Sequence, residues 1–181
     1  MEVLAVNMGK GGIKMRTEIK SKHAIVSKAP YMLYMAFVDM RNFIQFLPED
    51  KRQGVTADYD SLNAVVQGFS VGIRISERVP YSRIDFTDNG APFNFSISMH
   101  FDPAGEPDKT EFYIELSADL NFMMKMMLGS KLQEVLDKMV DGLSAVSEGR
   151  MPDGVDPSMY PEGFDPSKFS EGFDPSKGYP S

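Results

Sequence analysis

Between Leu120 and Ser147 runs the longest helical signal in the chain, LNFMMKMMLGSKLQEVLDKMVDGLSAVS. Its apolar residues fall at Phe122, Met123, Met126, Met127, Leu132, Val135, Leu136, Met139, Val140, Leu143 and Val146. Steps of three and one alternate, which is the 3.6-residue period with a wide apolar arc. Lys131, Glu134, Asp137, Lys138 and Asp141 take the other side. Glu134 and Lys138 stand one turn apart in the favourable order, worth about 0.3 kcal/mol. Asp119 or Asn121 can cap the start and Gly149 can close the end. Gly129-Ser130 is a weak point, because glycine inside a helix costs about 1 kcal/mol relative to alanine. A helix of this length with so broad an apolar arc needs a large partner surface.

The partner surface lies upstream, where the period is two. Phe93, Phe95, Ile97, Met99 and Phe101 alternate with Asn94, Ser96, Ser98 and His100. Phe112, Ile114, Leu116 and Ala118 alternate with Glu111, Tyr113, Glu115 and Ser117. Val71, Ile73 and Ile75 oppose Gly72, Arg74 and Ser76, and Ile84 and Phe86 belong to a further strand. Alternation of this kind buries one face of a strand and wets the other, which predicts an antiparallel sheet. Spans 53–59 and 62–67 read as two more strands around Asp60-Ser61, and Asp88-Asn89-Gly90 is a strong turn signal. Before them, Pro30 opens a short helix carrying Leu33, Tyr34 and Phe37, and residues 42–47 form a second helical piece stopped by Pro48. Residues 17–26 read as a first strand whose alternation does not show which face is inside. The order is strand, two short helices, six strands in a meander, long helix. The class is α+β, because an antiparallel sheet with one apolar face must be covered and only the final helix is long enough.

Bulk properties exclude several functions. The net charge of −7 and the lack of a Lys/Arg cluster argue against nucleic-acid binding. The chain has no cysteine, which removes disulfides, thiolate metal sites and cysteine nucleophiles. No apolar run approaches the roughly 20 residues of a membrane-spanning helix. The first residues lack the apolar core of a signal peptide. Residues 1–15 are expected to be a loose leader, and the location is expected to be cytoplasmic.

Several local runs point to a family. They are Ala29-Pro30 opening the first helix, FIQFLP at 43–48, GFSVG at 68–72 followed by IRISERVPYSRIDF, the NGAPFNFSISM hairpin, and ADLNFMMKMM leading into the last helix. With the element order, they make residues 16–148 similar to the helix-grip domain of the START-like, or SRPBCC, superfamily of the birch-pollen allergens and polyketide cyclases. The last two runs look like an uncharacterised bacterial subgroup. The resemblance implies a curved antiparallel sheet wrapped around the C-terminal helix, with a hydrophobic cavity for a lipid, sterol, polyketide or other apolar molecule. It implies no invariant catalytic motif.

Motifs of chemistry are weak by comparison. Gly68-Phe69-Ser70-Val71-Gly72 matches the G-x-S-x-G elbow of hydrolases, with Asp85 and His100 following in hydrolase order. The elbow needs a sharp strand-to-helix turn, and an alternating strand follows here. Gly9-Lys10-Gly11-Gly12 lacks the rest of a phosphate loop. The two histidines, His23 and His100, have no carboxylate or second histidine at ligand spacing, so neither a metal nor a cofactor is expected. Arg74, Asp85 and Glu115 fall on the polar phase and read as a solvated sheet face.

From Gly149 onward the composition shifts, and half of the twelve prolines lie beyond residue 150. Three nine-residue units begin at Asp153, Glu162 and Glu171, each with an Asp-Pro-Ser turn beside Val155, Phe164 or Phe173. Residues 149–181 are expected to be a disordered repeat tail. Repetition also permits multivalent binding of a protein partner through residues 153–179, or folding of the tail across the cavity mouth.

The leading expectation is a non-catalytic protein that binds an apolar small molecule or lipid. The cavity is expected between Val71, Ile73, Phe86, Phe95, Ile97, Ile114 and Leu116 on the sheet and Met123, Met127 and Val135 on the helix, widest before Gly129. The alternatives are a polyketide-cyclase or aromatase-like enzyme, which needs polar groups converging inside, and a protein-interaction module.

Overall fold

The computed structural model describes residues 6–9, 12–46, 52–66, 69–91 and 93–150, with the backbone alone at 6–9, 12–14, 45–46, 66 and 69. The strands are β1 (Val6–Gly9), β2 (Gly12–Lys20), β3 (Ala24–Val26), β4 (Val55–Ala57), β5 (Ser61–Val66), β6 (Phe69–Val79), β7 (Arg83–Asp88), β8 (Phe95–Pro103) and β9 (Thr110–Asn121). Between β3 and β4 lie α1 (Pro30–Phe37) and a 3-10 helix (Met40–Phe46), and after β9 comes α2 (Phe122–Ser147). One curved antiparallel sheet runs β1-β2-β9-β8-β7-β6-β5-β4, with β3 also pairing β9. α2 lies across β9, β2 and β3. The α+β helix-grip class expected above is the class found.

The register explains which side chains meet. Phe101, Met99, Ile97 and Phe95 on β8 stand opposite Phe112, Ile114, Leu116 and Ala118 on β9. All eight therefore share the face that α2 covers, as their two-residue period requires. The core closes where α1 joins them. Phe37 stacks with Phe101 and Phe112 at centroid distances of 6.1 and 6.0 Å, and Leu33, Leu136 and Val140 are buried beside them.

The N-terminal part departs from expectation. Residues 6–9 and 12–15, read as part of a loose leader, pair as strands, with Val6 opposite Met15 and Gly9 opposite Gly12. The single strand expected over 17–26 is two strands on one partner. Lys20 faces Glu115 and Ala24 faces Phe112, so Ser21, Lys22 and His23 stand opposite two residues. Such a bulge reverses the side-chain phase. Thr17 and Ile19 point inward before it, and Ala24 and Val26 after it. The Ser21 hydroxyl oxygen accepts the Ile114 N–H at 2.8 Å, which repairs the ladder there. A second bulge, between Ile75 and Glu77 on β6, turns Arg78 to the side of Ile84. Its guanidinium donates to the carbonyls of Val38 (3.1 Å) and Tyr59 (3.2 Å), tying the end of α1 to the sheet.

The long helix begins two residues later than its pattern suggested, because β9 continues to Asn121, which is still paired with Lys14. Asn121 then caps the helix, its side-chain oxygen accepting the Met124 N–H at 2.8 Å. Expectations for the tail, and for Pro48, Gly68 and Gly11, fall outside the described residues.

Candidate ligand cleft

α2 packs on β9, β2 and β3, and its burial changes along its length. Phe122, Gly129, Leu136 and Leu143 are spaced by seven, so they form one column on the helix with a drift of only about 20° per step. At the C-terminal end the column is shut, with Leu136 3% and Leu143 8% exposed. At the N-terminal end it is open. Phe122 is 69% exposed, and a Cβ added at Gly129 would meet nothing within 4 Å. Met126, one turn after Phe122, is 73% exposed.

The sheet shows the same gradient. On β8, Phe101 and Met99 are buried, whereas Ile97 and Phe95 are half-buried. On β6, Ile75 is buried, whereas Ile73 and Val71 are half-buried. The half-buried ends lie together, since Phe95 pairs with Ala118 close to the point where β9 hands over to α2. Among the described residues, the inward face of the sheet is thus fully buried at Phe101, Met99 and Ile75 and half-buried at Ile97, Phe95, Ile73 and Val71. Ile73, Phe95 and Ile97 pack against the edge of the core, and the Phe122–Gly129 stretch of α2 is the open part of the helix. Thr17, 4% exposed, lies on the inward face of β2, and its hydroxyl has no hydrogen-bond partner.

The ten positions expected to line a cavity divide accordingly. Val71, Ile73, Phe95 and Ile97 are half-buried, while Phe86, Ile114 and Leu116 are buried on the same sheet face. Met123, Met127 and Val135 are exposed. Met127 sits nine residues before Leu136, half a turn away at about 100° per residue, so it points to the far side of the helix. Val135 is about 100° from Leu136, on the helix flank. By the same angles Phe122 and Gly129 fall on the side of Leu136 and Leu143.

The opposite face of the sheet is polar and largely self-satisfied. A groove of about 410 Å³ there is lined by Arg16, Glu18, Lys20, Ser98 and Glu115, among others. Glu115 pairs with Lys20 at 3.4 Å and with His100 Nε2 at 3.0 Å, and Arg16 Nε donates to Ser117 Oγ at 2.8 Å. Beside it, the His23 and His100 rings stack on the two faces of Tyr113, with centroids 4.2 and 4.5 Å away. His23 Nδ1 lies 2.7 Å from Glu111 Oε1. Each histidine therefore has a carboxylate partner that sequence spacing could not reveal, because the partners are across the sheet. The Tyr113 hydroxyl donates to Asp102 at 3.0 Å; burial, and then this hydrogen bond, push its pKa up to about 12. Ser70 lies within β6, opposite Val65, and not on a strand-to-helix turn, so the hydrolase motif lacks its structural context. No group of three or more possible metal ligands gathers among the described residues.

Solved structures share this arrangement. Norcoclaurine synthase of Thalictrum, a birch-pollen-allergen-like protein studied as a point mutant with a transition-state analogue, superposes with a TM-score of 0.54. It is 12% identical, over 72% of this chain and 93% of its own. The protein has the START-like helix-grip fold. The Mll3558 protein of Rhizobium loti matches this fold with a TM-score of 0.50 and 14% identity, over 68% of this chain and 93% of its own. A Staphylococcus aureus protein of unknown function matches at 0.50 and 14%, over 70% of this chain and 86% of its own. No protein-family model and no curated protein matches the sequence. At these identities the START-like likeness establishes the architecture alone. No helix among the described residues is long and apolar enough to cross a membrane.

Proposed function

We propose that this START-like protein binds an apolar small molecule or lipid in the open half of its sheet–helix interior, and that it does so without catalysis. The supporting observation is the column Phe122–Gly129–Leu136–Leu143, which passes from exposed to buried along one helix face. A protein that needed only a core would gain by closing this gap, since burial of apolar surface yields about 25 cal/mol per Å². Phe95, Ile97, Val71 and Ile73 offer water few hydrogen-bond partners, so an apolar ligand is the favoured occupant. Thr17 supplies one hydroxyl near this surface, which suits a ligand with a single polar group. The fold is one in which hydrophobic ligands are held.

Native mass spectrometry of freshly purified protein tests this reading. A retained apolar molecule adds its mass to the folded charge states and is lost when the protein is denatured. Protein that carries no added mass, and takes up none from a mixture of fatty acids and polycyclic compounds, would sink it.

A further inference from the structure

Thr17 carries a buried hydroxyl that the fold does not use. The residue is 4% exposed on the inward face of β2, and its Oγ1 has no hydrogen-bond partner among the described residues. Leaving a buried hydroxyl unpaired costs about 1–3 kcal/mol, so such a group calls for an explanation. The cost is simple to avoid, since valine has nearly the same shape and suits a strand as well.

The surroundings offer no partner. Thr17 stands opposite Ala118 on β9, and the flanking pairs on the same face are Met15 opposite Leu120 and Ile19 opposite Leu116. Beyond Ala118 the same row continues to Phe95, which is half-buried. The row thus leads from an enclosed hydroxyl to a partly open aromatic ring. The helix gives the same location. β2 and α2 run side by side from Lys14, paired with Asn121 before the helix, to Lys20, whose carbonyl accepts from Gln133 Nε2 at 2.8 Å. Thr17 is midway along β2 between these points, and the Met126–Gly129 turn is midway along the helix. In that turn a Cβ added at Gly129 meets nothing within 4 Å.

We propose that Thr17 selects the ligand, a step that rests on the reading above of an apolar molecule in the interior. Its hydroxyl donates to an uncharged oxygen, that of a ketone, ester or alcohol, at the buried end of that molecule. A carboxylate fits poorly at this point. Burying a charge without a counter-charge costs far more than burying a hydroxyl, and Met15, Ile19, Leu116, Ala118 and Leu120 supply none. Asp88, opposite Ile73 on the same sheet face, adds a negative charge. A fatty acid therefore enters tail first and keeps its carboxylate in solvent. Ser144 on α2 provides an internal control. Its buried hydroxyl also lacks a partner, but it lies among Leu143, Ala145 and Val146 at the shut end of the helix.

Two uncharged fluorescent probes test the proposal on the full chain: Prodan, which carries one ketone, and diphenylhexatriene, a hydrocarbon. Thr17→Val should weaken Prodan at least about fivefold, the scale of one hydrogen bond, while diphenylhexatriene stays within about twofold. The emission of bound Prodan should also move to the blue, because its ketone loses a donor. The variant should melt at or above the native temperature, since it removes an orphaned hydroxyl. Thr17→Ser should keep the native preference between the probes, and Ser144→Ala should leave both affinities unchanged. Unchanged Prodan binding in Thr17→Val, or equal weakening of both probes, would overturn the proposal and leave the binding of apolar molecules in place. Binding of neither probe to the intact protein would overturn both.

Discussion

The two halves of the sheet–helix interior are built from similar residues and behave differently. In the closed half, Leu136, Val140, Phe101 and Phe112 belong to one buried cluster with Leu33 and Phe37 of α1. In the open half, Phe95, Ile97, Val71 and Ile73 have the same apolar chemistry but are only half-buried, and the first turns of α2 carry Gly129 and the exposed Phe122 and Met126. The difference comes from a third layer. α1 adds that layer to the closed half, where its Leu33, Tyr34, Ala36 and Phe37 are buried. Apolar patterning alone thus does not decide between core and container.

The largest expected effect is in the closed half. Phe112→Ala and Leu136→Ala should each cost about 3–5 kcal/mol in urea unfolding, as truncations of fully enclosed side chains do. Phe95→Ala in the open half should cost less than about 2 kcal/mol, and Met126→Ala about 0.5 kcal/mol or less. Equal losses in the two halves would erase the distinction.

A smaller effect of opposite sign is expected at Gly129. An alanine methyl there meets nothing, and alanine in a helix interior is favoured over glycine by about 1 kcal/mol. Gly129→Ala should therefore raise stability by about 0.5–1 kcal/mol in the same assay. A loss would mean that the helix packs closely at that point.

The smallest effect lies on the far face of the same strands. Tyr113, between two histidine rings and bonded to Asp102, should ionise near pH 12 in an ultraviolet titration. Its folded pKa lies above the usual value near 10, so the neutral form is the one that folding favours. That contribution is complete below about pH 10 and is lost as pH rises through about 12. Tyr113→Phe should delete this late step and leave the apolar cleft unchanged.

Much of the fold is legible from residue order. β8 and β9 announce themselves because Ser96, Ser98, Glu115 and Ser117 alternate with Ile97, Met99, Ile114 and Leu116. The phase of residues 17–26 is not legible, because a bulge at Ser21–His23 exchanges the two faces midway and only the bond to Ile114 reveals it. The inward face of the sheet is legible for the same reason that β8 is. The inward face of the helix is not. Phe122, Met123, Met124, Met126, Met127 and Leu128 are apolar through more than half the circumference, so period alone leaves the direction of the helix undetermined. That is why the pattern does not separate the exposed Met123, Met127 and Val135 from the buried Leu136, Val140 and Leu143. The stacking of His23, Tyr113 and His100 joins residues from three strands, and no local pattern encodes it.

The central claim is that the open half of the interior is a binding cleft roofed at Gly129. Fluorescence titration with dansyl-undecanoic acid, on the native chain and on Gly129→Leu, tests it most directly. Leucine is a good helix former and its side chain would project into the gap, so the variant should keep the native melting temperature or exceed it. The account predicts micromolar binding to the native chain and a loss of at least about tenfold in the variant, the equivalent of about 1.4 kcal/mol. Equal affinity for both proteins, or no binding to the native chain, would contradict it.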